Sequence, residues 1–167
     1  TETLGLLYDD HFPYRQYATS RGIRRSPLHH QLLAQGAVMS ETAGWERPGW
    51  FANEGQEREY QYSWGPQNWF ENAKAEHQAV SQNVAVMDLS SFGKVKIMGK
   101  DALGFLNRVC ANQIDVSVGT LVYTQMLNES GGIECDLTVA RLAKDEFIAT
   151  LPAATVQRDL DWLRRHV

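Results

Sequence analysis

Glu134 and Asp136, two acids one residue apart in an otherwise apolar run, are the residues of this chain best suited to proton chemistry. They follow Asn128-Glu129-Ser130-Gly131-Gly132, a segment that supplies the positive-φ residues a tight reversal needs. The flanking stretches between Tyr123 and Leu142 are rich in Val, Leu, Tyr and Thr, and together they predict a β-hairpin. Ile133, Cys135, Leu137 and Val139 alternate with Glu134, Asp136 and Thr138, so a period of two sets the carboxylates on one face and the hydrocarbon on the other. A four-residue loop would set Asn128 opposite Ile133 and bring Tyr123, Gln125 and Leu127 onto the face of the acids; an odd loop length would break that arrangement. Any half-solvated strand alternates in the same way, so the pattern alone fits a site and a plain surface equally.

The elements that must hold this hairpin are legible around it. Lys94 to Met98 alternates like a strand, and Asp101 is placed to cap a helix whose apolar side carries Ala102, Phe105, Leu106, Val109 and Cys110. Phe147 to Leu151 predicts a further strand that Pro152 ends, and Val156, Leu160, Leu163 and Val167 mark a terminal helix. Arg164, Arg165 and His166 in its last turn suit the negative end of the helix dipole. The order is β-α-β-β-β-α, an α+β layer with an antiparallel or mixed sheet, helices on one face and a ferredoxin-like element. Upstream, Phe70, Ala73, His77, Val80 and Val84 recur at helical spacing through about residue 82, and His77 on that stripe reads as a packed residue without chemistry.

Residues 1–70 differ in texture, holding four of the five Trp and four of the five Pro. Ser26 and Pro27 predict the start of a short helix ending at Gly36. Gly44-Trp45-Glu46-Arg47-Pro48-Gly49-Trp50-Phe51 reads as a loop whose rings plug a core edge with Glu46 and Arg47 in solvent; a ligand-stacking wall is the other reading.

Composition narrows the function. With 167 residues, 43% hydrophobic and 22% charged, the chain suits an ordinary soluble domain with one sizeable core. Its net charge of -4 offers no phosphate-neutralising surface, and the one basic cluster, Arg21 with Arg24 and Arg25, is short, so no nucleic-acid partner is expected. Nothing approaches the roughly 20 apolar residues of a membrane span. The first residues, Thr1-Glu2-Thr3, lack the features of a signal peptide, and the chain reads as a piece of something longer. Cys110 and Cys135 suggest neither a disulfide framework nor a metal site. Gly-x-Gly-x-x-Gly, Gly-Lys-Ser/Thr, Gly-x-Ser-x-Gly, Cys-x-x-Cys and His-Glu-x-x-His are all absent, so the chain itself offers no recognisable dinucleotide, P-loop, serine-hydrolase or zinc site.

Three blocks together resemble one family: Gly44 to Phe51; Val86-Met87-Asp88-Leu89-Ser90-Ser91-Phe92-Gly93-Lys94; and Tyr123-Thr124-Gln125-Met126-Leu127-Asn128 leading into Gly131-Gly132-Ile133-Glu134-Cys135-Asp136-Leu137. The chain is similar to the folate-binding, aminomethyltransferase-like module of sarcosine and dimethylglycine dehydrogenases, and more distantly to the glycine-cleavage T-protein. The resemblance implies an incomplete aminomethyltransferase folate-binding fold, with residues 1–70 leading from a flavin domain outside this chain and residues 71–167 forming the N-terminal half of the folate domain. It implies tetrahydrofolate as cofactor, FAD in the parent protein but not on this chain, a small N-methylated amine as substrate, no metal, and a bacterial cytoplasm or mitochondrial matrix. Asp136 matches the family's catalytic aspartate, and Tyr123 and Leu127 match residues that line the folate pocket. Val139 matches a packing position too, but the hairpin register sets it on the opposite face. The chain departs from the T-protein pattern at Cys135, where an acid is usual, and at Pro152, where an asparagine is usual. A different reading is a regulatory protein similar to the regulatory subunit of pyruvate dehydrogenase phosphatase, in which Asp136 has no catalytic part.

Overall fold

The computed structural model describes residue 16 and residues 18–167, which form two compact units divided between Ser91 and Phe92. In the first unit, helix α1 (His29–Ala34) starts two residues later than expected: its N-cap is Leu28, with no side-chain cap, and Ser26 instead closes the preceding turn, its hydroxyl accepting from the Leu28 amide at 3.2 Å. Gly36, at φ +93°, ends it. The Trp-rich segment is a strand, which corrects its reading as a loop: β1 (Ala37–Thr42) pairs antiparallel with β2 (Trp45–Phe51) across an Ala43-Gly44 turn with both residues at positive φ. Pro48 and Gly49, which looked like loop punctuation, sit where the register shifts, and a bulge tolerates a residue without an amide proton. Gly49 is required there because a Cβ would fall on the Tyr60 hydroxyl. Trp50 is fully buried and meets Tyr60 edge-on, and Trp69 closes the cluster at 5.0 Å from the Tyr60 ring.

Helix α2 (Phe70–Gln82) lies where its periodicity put it. Its apolar stripe is nonetheless exposed: Phe70, His77, Val80 and Val84 face solvent, and Asn72, on another side, is the buried residue, donating to the Phe51 carbonyl at 2.7 Å.

The second unit follows the expected order, β3 (Gly93–Met98), α3 (Ala102–Val109), β4 (Leu121–Leu127), β5 (Ile133–Ala143), β6 (Glu146–Leu151) and α4 (Val156–Arg165). Its sheet is antiparallel throughout in the order β3-β6-β5-β4. Val122, Met126, Cys135, Leu137, Val139, Phe147, Ala149 and Leu151 point inward and pack with Leu106, Val109 and Leu163 of α3 and α4 into one core. Both helices therefore cover a single face of the sheet. Burying side chains such as Phe147 and Leu106 contributes roughly 1.5–3 kcal/mol each. Asp101 stands at the N-terminus of α3 but makes no side-chain cap, and its carbonyl accepts from the Phe105 amide instead. The outer edge of β4 is not bare, because Ala111 donates to the Gln125 carbonyl at 2.8 Å and Asn112 to the Thr124 hydroxyl at 3.0 Å.

Candidate functional site

The β4–β5 turn runs through residues 128–132, five residues rather than four, so the loop has the odd length expected to spoil the register. A bulge cancels it. Leu127 pairs with Ile133, but Met126 pairs with Cys135, leaving Glu134 as the extra residue, and from there Gln125 opposes Asp136 and Tyr123 opposes Thr138. An odd loop plus one inserted residue restores even parity, so the acid and the tyrosine share a face. Asn128 builds the turn: its Oδ1 accepts from the Gly132 amide at 2.8 Å and the Ser130 amide at 3.1 Å. Its Nδ2 donates to Glu134 Oε1 at 2.9 Å, which ties Glu134 to the turn rather than to the open face.

Tyr123 and Asp136 are diagonal neighbours across the ladder, a separation that an aromatic side chain spans. The Tyr123 hydroxyl donates to Asp136 Oδ2 at 3.0 Å. Leu127, 41% exposed, stands two residues along β4 from Gln125, on the other side of Asp136 from Tyr123. All three project from the sheet face opposite α3 and α4, where Leu121 and Ile133 are also exposed. Val139 lies on the core face, 1% exposed, as its register requires. The arrangement is a carboxylate with one oxygen held by a phenol, framed by apolar side chains on an open sheet. A hollow of about 840 Å³ lies elsewhere in the unit, among Val95, Ile97, Phe105 and Leu163, and does not reach Asp136.

Two carboxylates escaped the sequence reading. Glu46, expected in solvent, is buried: Arg21 grips both its oxygens at 2.8 Å and the Gly22 amide donates at 2.6 Å. The Arg21 guanidinium holds its carboxyl below the usual range. Nothing local signals a pair 25 residues apart. Asp159, 1% exposed, accepts from Thr155 Oγ1 at 2.5 Å, Arg158 Nε at 3.1 Å and Cys135 Sγ at 3.3 Å. Its position between Val156 and Leu163 on the apolar stripe of α4 was the available signal. Among the described residues no group of acids, histidines and cysteines is arranged to hold a metal, and no helix is long and apolar enough to cross a membrane.

By fold, this is an α+β aminomethyltransferase-type module: it superimposes on the glycine cleavage system aminomethyltransferase T of Bartonella henselae with a TM-score of 0.65, over 87% of this chain and 36% of that one, at 22% identity. The chain belongs to the GCVT N-terminal domain family, whose model matches residues 28–167. It is 40% identical over 98% of its length to 4-methylaminobutanoate oxidase (formaldehyde-forming) of Paenarthrobacter nicotinovorans. It is also 36% identical over 99% of its length to the mitochondrial pyruvate dehydrogenase phosphatase regulatory subunit of Mus musculus, and 35% identical over 91% to mitochondrial dimethylglycine dehydrogenase of Homo sapiens. It spans 20%, 20% and 17% of these three relatives, about a fifth of their length.

Proposed function

We propose that this chain is the segment of a flavin-dependent N-methyl amine dehydrogenase at which a one-carbon unit passes to tetrahydrofolate, with Asp136 as its proton-handling group. The observation that carries this reading is the 3.0 Å bond from Tyr123 to Asp136 on the open face of a hairpin within a GCVT N-terminal domain. Tetrahydrofolate supplies a secondary amine that bonds the one-carbon unit. Asp136, with Oδ2 engaged by Tyr123, has Oδ1 to accept the proton that such an amine sheds, which requires an N···O approach of about 2.6–3.2 Å, directly or through one water. Tyr123 fixes the carboxylate rotamer, and Leu127 is the apolar wall beside the ligand. The donor set suits this ligand, since an ionised carboxylate accepts and an amine N–H donates. No residue of this chain is assigned to FAD, because the chain carries none of the glycine-rich dinucleotide spacing. Bacterial cytoplasm or mitochondrial matrix suits the reading, in keeping with the bacterial and mitochondrial relatives.

In a protein of the relatives' length carrying this segment, Asp136→Ala is expected to lower folate-coupled product formation by roughly 10²–10⁴-fold and to leave flavin reduction by the amine unchanged. Equal loss of both would give Asp136 a structural role. Because the chain supplies one wall, it is expected to bind folinic acid weakly or not at all by calorimetric titration; micromolar binding would mean that other residues form the pocket.

The similarity to the phosphatase regulatory subunit over 99% of this chain favours a second reading, a regulatory protein. Under it Asp136→Ala changes no turnover. The formaldehyde-forming relative marks a third outcome for the same site, in which amine oxidation proceeds but no one-carbon unit reaches folate.

A further inference from the structure

The two residues before Asp136 are held from behind by the first turn of α4. Arg158 Nη2 donates to the carbonyl of Glu134, the bulged residue that has no opposing partner in the β4–β5 register, and also to Asp159 Oδ1 at 3.1 Å. Asp159 Oδ2 accepts from Thr155 Oγ1, and the thiol of Cys135, the immediate neighbour of Asp136, shares its one proton between Asp159 Oδ2 at 3.3 Å and the Asp136 carbonyl at 3.2 Å. Burial and the Asp159 carboxylate push the Cys135 thiol up to about 12, so at neutral pH it is a donor. A carboxylate that is 1% exposed is a poor choice for stability alone, since apolar side chains of similar volume commonly do as well at such sites. It does supply direction. Without the bulge at Glu134 the odd loop would turn Asp136 away from Tyr123.

We infer that Asp159, with Arg158, Thr155 and Cys135, is a positioning residue that locks the β5 bulge and so aims Asp136 at the ligand face. The inference rests on the proton-handling reading of Asp136, and its test separates the two. In the full chain, Cys135→Ala and Asp159→Asn are expected to move the carbon NMR signal of Tyr123 Cζ toward that of a free phenol. Cys135→Ser, which still donates to Asp159, leaves it near the parent position. In a protein of the relatives' length, Asp159→Asn lowers kcat for folate-coupled product about 10–100-fold, the scale of a misaimed group, with KM for folate little altered. A Tyr123 signal unmoved by both Cys135→Ala and Asp159→Asn overturns the brace. Should Asp159→Asn fail to fold, the Cys135→Ala and Cys135→Ser pair decides, because both leave the Thr155 and Arg158 bonds in place. Intact folate-coupled turnover in Asp136→Ala would sink the function while leaving the Tyr123 result standing.

Discussion

Glu46 and Asp136 both sit on hairpin strands beside aromatic rings, yet the two hairpins use their acids in opposite ways. Glu46 has both oxygens bound by Arg21, a further bond from the Gly22 amide, and 7% exposure. Asp136 faces solvent and takes a single bond from Tyr123. A carboxylate with both oxygens bound holds structure; one with an oxygen to spare on an open face is equipped for a substrate's proton. In sequence the two look alike, an acid in an aromatic and glycine-rich setting. Their partners distinguish them.

The contrast breaks most visibly if stability does not follow it. Arg21→Ala should cost about 1–3 kcal/mol, the worth of hydrogen bonds to a charged group, read from the urea midpoint by Trp fluorescence, since four of the five Trp lie in residues 1–70. Asp136→Ala should stay within about 0.5 kcal/mol. Acid sharpens the difference. Glu46 has its folded pKa lowered from 4.5, so its contribution is complete above about 4.5 and is lost as pH falls below that. Urea midpoints of the parent chain should therefore drop on acidification through that window, and those of Arg21→Ala should drop less. The smallest effect belongs to Tyr123→Phe, which keeps the ring and removes one hydrogen bond. Folate-coupled turnover in a protein of the relatives' length should fall roughly 2–10-fold, and a loss as large as that of Asp136→Ala would make Tyr123 the principal proton-handling group.

The second unit was readable because its signals are local. Gly131-Gly132 marks the turn, Leu106 and Val109 mark the inner side of α3, and alternation marks β6. Even so, the face of Asp136 was inferred correctly from a four-residue loop that does not exist. The five-residue loop and the bulge at Glu134 together restore the parity of a four-residue loop, and Ile133, exposed where the alternation buried it, and Glu134, tied to the turn, betray the difference. The first hairpin was misread because Pro48 and Gly49 imitate a loop while occupying a bulge. Arg21 with Glu46, and Asp159 with Cys135, join residues more than twenty positions apart, and no periodicity reports such pairs. The stripe of α2 shows the converse limit: periodicity identifies an apolar face without saying what covers it.

The most direct test of Asp136 as the ligand-facing acid is the carboxyl-carbon NMR signals of Asp136 and Glu46, followed as folinic acid is added to a protein of the relatives' length carrying this segment. The Asp136 signal is expected to move in step with binding while the Glu46 signal stays in place. Folinic acid that binds and leaves the Asp136 signal unmoved contradicts it.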